Sequence, residues 1–240
     1  MIDVPAERAN EVAPLQETLG YWFSDLRLLN KALTHKSYVN EKNEVLKHNE
    51  RFEFLGDSVL DVMVSNYLVC EYSDYAEGTL SKIRAAVVNE NCLAGLARKI
   101  ELGKFLLLGK GEDKSGGRDK SSILADAFEA LAGALFRDSG LESTSNVILP
   151  ILSDEIFTFA CSCDFRDFKS ELQEYTQNKW FCTPSYKVVN ELGPDHAKEF
   201  EVTVMINSKV KGQGLGKNKK GAEQAAAKMA IESFLPPSKD

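Results

Sequence analysis

The sequence predicts an all-helical domain followed by a small α+β module of order α-β-β-β-α, on three observations. Apolar residues recur at a 3.6-residue period from about Ala13 to Phe159 of the 240-residue chain. Strict apolar/polar alternation appears only later, in Phe200-Glu201-Val202-Thr203-Val204-Met205-Ile206. Charge is segregated too: residues 164–240 hold 12 Lys/Arg against 11 Asp/Glu, whereas the rest holds 17 against 25. The boundary is expected near residues 160–165, giving domains 1–160 and 165–236.

In the first part, Glu50 to Tyr72 carries Phe52, Leu55, Val59, Val62, Met63 and Leu68 at helical spacing. Leu80, Ile83, Val87, Leu96 and Ile100 continue the pattern after Gly78. Ser121 to Phe136 reads as an Ala- and Leu-rich helix with the serine pair as its N-cap. Gly109 to Arg118 between them reads as a polar, glycine-rich loop. In the second part, Phe168 to Asn178 is a helix stopped by Thr183-Pro184. Strands follow at Tyr186–Val189, at 200–206 and around Lys209–Lys211, the first two joined by the turn Gly193-Pro194-Asp195-His196. A last helix, Lys219 to Phe234, places Ala222, Ala226, Met229 and Phe234 on one face.

Composition narrows the class. With 43% hydrophobic and 27% charged residues the chain is ordinary globular material, able to build a core without disulfides. No apolar run approaches a membrane span, clusters such as Lys104 to Gly109 falling far short, so no membrane partner is expected. Asp3, Glu7 and Glu11 without an apolar run argue against a signal peptide. The odd set Cys70, Cys92, Cys161, Cys163 and Cys182 reads as reduced thiols of a cytoplasmic protein. Cys161-Ser162-Cys163 has half of a zinc spacing but no second pair to complete it.

The chemistry is in acids that stand too close together. Glu50, Glu53 and Asp57 share one helix face, and Asp126 and Glu129 share another within an otherwise apolar segment. A solvated acidic face accounts for Glu50 as well as any site does. It fits Asp126 and Glu129 poorly, because an unpaired carboxylate beside a core protonates or finds a cation. Oxygen-only clusters suit Mg²⁺ or Mn²⁺.

These residues resemble a known family. Asn49-Glu50-Arg51-Phe52-Glu53-Phe54-Leu55-Gly56-Asp57-Ser58-Val59-Leu60 is similar to the signature of ribonuclease III. Thr34-His35-Lys36-Ser37-Tyr38, Glu77-Gly78-Thr79-Leu80-Ser81, Gly116-Gly117-Arg118 and Ile123 to Ala130 fit it as well. Phe52 and Lys120 depart from commoner Leu and Arg without touching an acid. The C-terminal module resembles a double-stranded-RNA-binding domain at Leu172-Gln173-Glu174, at the Gly193 turn and from Gly214 to Ala226, with Asn218 where Ser is usual.

The resemblance implies that Glu53, Asp126 and Glu129 ligate Mg²⁺, with Mn²⁺ as a substitute, and that Asp57 and Glu129 are catalytic. Asp57 orients the attacking water and the leaving group; Glu50 and Glu77 are supporting acids near the cleavage site and dimer region. It further implies a cytoplasmic homodimer, without a small-molecule cofactor, that cuts double-stranded RNA. The products carry 5′-phosphate and 3′-hydroxyl ends with two-nucleotide 3′ overhangs, and the implied role is processing of ribosomal and other structured RNA precursors. The alternative is a non-catalytic double-stranded-RNA-binding regulator.

For RNA contact, Lys219 and Lys220 open a helix where cations are unfavourable unless an anion binds there. Lys217 joins them, within a stretch that also holds Lys209 and Lys211 and no acid. A merely solvated lysine run is the competing reading. Ser170, Gln173 and Gln177 share the outer face of the preceding helix and are expected to reach ribose 2′-hydroxyls in a minor groove, with His196 a second minor-groove candidate. His35 and His48 are read as structural.

Overall fold

The structure, a computed structural model, describes residues 4–42, 47–162, 167–193 and 198–234. Two compact units divide the chain, Met1–Asp74 with Leu80–Phe165, and Tyr75–Thr79 with Arg166–Asp240. Helices α1 (Ala6–Leu19), α2 (Leu26–Ala32), α3 (Lys36–Lys42), α4 (Glu50–Glu71), α5 (Glu77–Val87), α6 (Glu90–Lys99), α7 (Lys110–Lys114) and α8 (Ser121–Cys161) precede the second pattern. No described helix is long and apolar enough to cross a membrane.

Helices α4 and α8 form the centre of the first unit. On α4, Phe52, Val59, Leu60, Met63, Val64 and Leu68 are buried. On α8, every residue from Ile123 to Leu135 is buried except Asp126 and Glu129. Each fully buried Leu or Phe contributes roughly 1.5–3 kcal/mol, so this seam carries much of the unit's stability. Glycines let the two backbones touch. A Cβ on Gly56 would overlap the Glu129 carbonyl, and one on Gly133 would overlap the Phe52 carbonyl.

Four expectations for this unit are corrected. The first helix begins at Ala6, ahead of Ala13. The helix expected to end at Phe136 runs on to Cys161, broken at Gly140, whose φ of 79° and ψ of −178° only glycine adopts readily. Lys120, not the serine pair, occupies its N-cap, and the Ser121 hydroxyl instead accepts a 2.9 Å hydrogen bond from Arg98. Residues 109–118 are no loose loop. The Glu41 carboxylate caps α7 by accepting from the amides of Lys110 (2.8 Å) and Gly111 (3.1 Å). Arg118 ties the far end down, donating to the carbonyls of Gly103 (3.0 Å) and Leu106 (2.9 Å) and pairing with Asp113.

The second unit is α9 (Phe168–Trp180), an antiparallel sheet in the order β1 (Ser185–Leu192), β2 (Glu199–Ile206), β3 (Lys209–Gly216), and α10 (Lys219–Phe234). Val202, Val204 and Ile206 of β2 pack against Phe168 and Leu172 of α9 and Ala222, Ala226 and Ala230 of α10. Gly212 and Gly214 give α10 room to lie directly on β3, since a Cβ at either would meet the α10 backbone. Here α9 ends at Phe181 in the left-handed conformation, before Thr183-Pro184 is reached. β3 extends past Gly212 and Gly214 to Gly216. Met229, expected on the core face, is half exposed, and Ala230 and Ile231 take the interior positions. The expected turn at Gly193–His196 falls largely on residues 194–197, outside the described residues.

Candidate active site and RNA-binding face

The α4/α8 crossing explains why the acids meet. Glu53 and Asp57 flank Gly56 on one helix, and Asp126 and Glu129 occupy the two turns before Gly133 on the other. Backbone contact at the glycines therefore brings the four carboxylates within electrostatic reach of one another. Burial is the main force raising the Glu53 carboxyl above its ordinary value, followed by the charge of Asp126. Asp126 is raised by burial and then by Glu90. Glu129 is pushed up to about 7, first by burial and then by Asp57, Asp126 and Glu53. Among the described residues, no Lys or Arg forms an ion pair with any of the four.

Lys36 is the nearest influence of opposite sign, lowering both Glu53 and Asp126. Its ammonium pairs with Glu50 at 3.1 Å. Glu50, the fifth expected acid, is thereby held below the ordinary carboxylate range by Lys36, with His48 Nδ1 3.6 Å from its other oxygen. Glu50 thus adjoins the cluster while being engaged elsewhere. Glu77 stands exposed in the first turn of α5, in the segment grouped with the second unit. Glu90, at the start of α6, is an acid the sequence reading missed. Nothing in its local pattern marks it, and only folding sets it against Asp126.

The four acids suit a hard dication by donor type and by their uncompensated charge. Among the described residues no three His, Cys, Asp or Glu side chains already converge on one ion position. Mg²⁺ does not need them to, because it keeps several waters and takes only one or two carboxylates beside substrate phosphates. Among the described residues Cys70, Cys92, Cys161 and Cys182 are free of disulfides, and burial pushes the Cys92 thiol up to about 11; Cys163 lies outside the described residues. His35 is tied into the fold by hydrogen bonds. Its amide donates to the Leu107 carbonyl at 3.0 Å, and its Nδ1 shares a 2.8 Å hydrogen bond with Ser37, whose oxygen accepts from the Gly109 amide.

In the second unit, Ser170, Gln173 and Lys220 line one groove of about 250 Å³ with Asp167, Tyr186 and Gln224. Gln177 lies on the same face of α9, exposed, one turn further along. Gln224 clasps the two RNA-candidate helices: its Oε1 accepts from the Lys169 amide (3.2 Å), and its Nε2 donates to Asp167 (2.8 Å). Lys217, Lys219 and Lys220 are all exposed at the start of α10, where Asn218 accepts from the Gly221 amide at 2.8 Å as the helix cap. The lysine tract does not stay together. Lys211 reaches over the Phe234 ring (5.7 Å) at the other end of α10, whereas Lys219 reaches over Phe200 (5.6 Å). An extended strand separates the two groups by roughly 20 Å, at about 3.3 Å per residue. His196 lies outside the described residues.

Comparison with known proteins agrees with both halves. The family described as Ribonuclease-III-like matches residues 25–155, and the Double-stranded RNA binding motif matches residues 168–233. Ribonuclease 3 of Caldanaerobacter subterraneus subsp. tengcongensis is 50% identical over 221 residues, covering 92% of this chain and 96% of that protein. Ribonuclease 3 of Borreliella burgdorferi is 43% identical over 228 residues, covering 95% and 93%. The solved nuclease domain of ribonuclease III from Campylobacter jejuni, described for flexibility in a region involved in dimer formation, superposes with a TM-score of 0.56 at 42% identity. It covers 60% of this chain and 97% of that domain. Signature, carboxylate crossing and RNA-binding module therefore converge: the chain belongs to the ribonuclease III family.

Proposed function

We propose that this protein is a divalent-metal-dependent endoribonuclease that hydrolyses double-stranded RNA to 5′-phosphate and 3′-hydroxyl ends with two-nucleotide 3′ overhangs. The observation that carries the reading is the crossing of α4 and α8, where four unpaired carboxylates crowd together and Glu129 is pushed up to about 7. A fold selected only to bind RNA has no use for half-buried like charges, which weaken it.

Glu53, Asp126 and Glu129 are the residues that would hold Mg²⁺, or Mn²⁺ in its place. When bound, the ions supply an activated water and charge compensation at the leaving oxygen. Asp57, more open than Glu129, orients the attacking water by accepting its hydrogen bond. Buried flanks at Ala125, Ala127, Phe128 and Ala130 fix the acids in place and lower the local dielectric. Lys36, anchored by Glu50, sits at the rim where a scissile phosphate would arrive. Ser170, Gln173, Gln177 and, by resemblance, His196 read minor grooves by shape and 2′-hydroxyls, while Lys217, Lys219 and Lys220 take the phosphates between them.

A homodimer fits the surface of α4. Phe54 is 79% exposed, and Val62 and Val69 are exposed within the same quarter of the helix. Beside Phe54 lies a hollow of about 620 Å³ lined by Lys31, Arg51, Phe52, Leu55 and Arg137. A projecting ring next to a hollow is what a two-fold, self-complementary interface requires. The cellular reading is a cytoplasmic enzyme that needs no small-molecule cofactor and processes ribosomal and messenger RNA precursors. The test is incubation of the full chain with long double-stranded RNA, with and without Mg²⁺, followed by analysis of the ends. Folded protein that leaves the RNA intact in Mg²⁺ and Mn²⁺ would refute the assignment.

A further inference from the structure

Lys36 stands where its charge could block the carboxylate cluster, and a neighbouring acid holds it off. Its backbone is fixed. The Asn49 amide donates to the Thr34 carbonyl at 2.9 Å, which fastens the residues before α3 to the start of α4. The Ser37 amide donates to His35 Nδ1 (3.3 Å), and the Ser37 hydroxyl accepts from the Gly109 amide (2.9 Å). From this base a flexible hydrocarbon stem carries the ammonium to Glu50, 3.1 Å away. Glu50 and Glu53 stand i, i+3 on α4, which puts their Cβ atoms about 5–6 Å apart. A lysine that reaches one of them needs only a turn of its stem to reach the other.

Of the acids within reach, Lys36 takes the one outside the cluster. Glu53 and Asp126 both feel its positive charge, and it feels theirs, yet its ion pair is with Glu50. A half-buried carboxylate attracts a nearby cation more strongly than an exposed one does, because less water screens it. Left to itself, the ammonium would therefore compete for the cluster. Glu50 is itself steadied from the other side. Its second oxygen lies 3.6 Å from His48 Nδ1, a buried atom with no hydrogen-bond partner. Both oxygens of Glu50 thus face nitrogen atoms.

We infer that Glu50 is a positioning residue: by holding the Lys36 ammonium it keeps Glu53 and Asp126 open to a divalent cation and leaves a positive charge at the rim for a phosphate. The inference rests on the proposed reading of Glu53 and Asp126 as metal-holding residues. It gives Glu50 a task other than ligating metal, and it makes Lys36 a competitor of the metal once Glu50 is lost.

The test is Mn²⁺ binding to RNA-free, full-length protein, followed by the electron paramagnetic resonance signal of the free ion, in a double-mutant cycle of Lys36→Met and Glu50→Gln. The two side chains are 59% and 48% exposed, so each variant should melt in chelator close to the wild-type temperature. With Glu50 present, Lys36→Met removes a nearby positive charge, and the half-saturating Mn²⁺ concentration should fall about twofold. In the Glu50→Gln background the freed lysine occupies the cluster. There the same substitution should lower half-saturation about tenfold, the extra factor of about five being the scale of one ion pair. Lys36→Arg keeps a partner for Glu50 and should bind Mn²⁺ as wild type does. Two charges acting only through their fields would give the same factor in both backgrounds, and that result overturns the inference. So does weakened binding in Glu50→Gln that Lys36→Met fails to recover, which would make Glu50 a ligand in its own right. Binding left unchanged by Asp126→Asn with Glu129→Gln would overturn the metal-holding reading of the acids, and the inference with it.

Discussion

Asp126 and Glu129 on α8 and Lys219 and Lys220 on α10 are both pairs of like charge near the start of a helix, yet the protein treats them in opposite ways. The acids are half-buried in a stretch where every neighbour from Ile123 to Leu135 is interior. Their charge is therefore unfavourable until something positive arrives. The lysines are fully in solvent, with Asn218 capping the helix below them. Their repulsion is screened by water and salt, so they cost the fold little. On the proposed function, chemistry is assigned to the place where charge is expensive and can be held rigidly, and docking to the place where charge is cheap and reaches outward. Perturbing the two regions should separate cleavage from binding, and stability from both.

The largest expected effect is on cleavage. Glu129→Gln should lower the rate by at least about a hundredfold, the scale of losing one preorganised charged group, while gel-shift affinity for RNA stays within about twofold. Wild-type cleavage by this variant would break the contrast outright, since the crowded acids would then have no chemical role. Gly56→Ala comes next, because the new methyl runs into the Glu129 carbonyl. Prising α4 from α8 should cost about 1–3 kcal/mol in denaturant unfolding and misalign all four acids at once. Full activity in a stable Gly56→Ala protein would show that backbone contact at the crossing does not set the site.

Burial of Glu129 also carries a pH signature. In the folded protein its carboxyl keeps a proton up to about 7, whereas in the unfolded chain it releases it near 4.5. Folded protein therefore binds more protons between those values, and stability falls as pH rises through that window and levels off above it. The shift would be worth roughly 3 kcal/mol at full burial, but partial exposure screens it to about 1–2 kcal/mol. Glu129→Gln should thus be more stable than wild type at pH 8 and should lose most of the slope, as urea titrations would show. Equal stability at pH 8 would mean the acids are less confined than the crossing implies.

How far all this could be read from the chain depended on whether the cause was local. α4 is foreseen as Glu50 to Tyr72 and found as Glu50–Glu71, because one face repeats Phe52, Val59 and Met63. The helix, three strands and helix of the second unit, and the pairing of Asp126 with Glu129 on one face, are legible for the same reason. The rest depends on partners distant in sequence. Residues 110–114 become a helix because Glu41 caps them. Glu90 joins the acids because α6 packs on α8. The Gly56–Gly133 contact is two small residues in two unremarkable helices until those helices cross.

The lysines give the smaller effects and sharpen the comparison from the other side. Lys219→Ala with Lys220→Ala should weaken RNA binding about tenfold and reduce the log–log salt slope by about two, one unit per lost phosphate contact. Cut positions and melting temperature should hardly move, in contrast to every substitution at the α4/α8 crossing. Lys209→Ala with Lys211→Ala is the discriminating control. In sequence these two belong to the same acid-free tract, and a field set by net charge alone would make both double variants equivalent. The fold instead places Lys211 over Phe234, at the end of α10 away from Lys219 and Lys220. Lys209 pairs across the strand from Ile206 and starts β3 at that same far end. With about 20 Å between the groups and a screening length of about 8 Å at physiological salt, the far pair acts on the phosphates only weakly. Its removal should change affinity by less than about twofold and leave the salt slope within about half a unit. An equal loss from both variants would show that RNA reaches along the whole of β3, and that charge docks this module as a broad field rather than at one helix end.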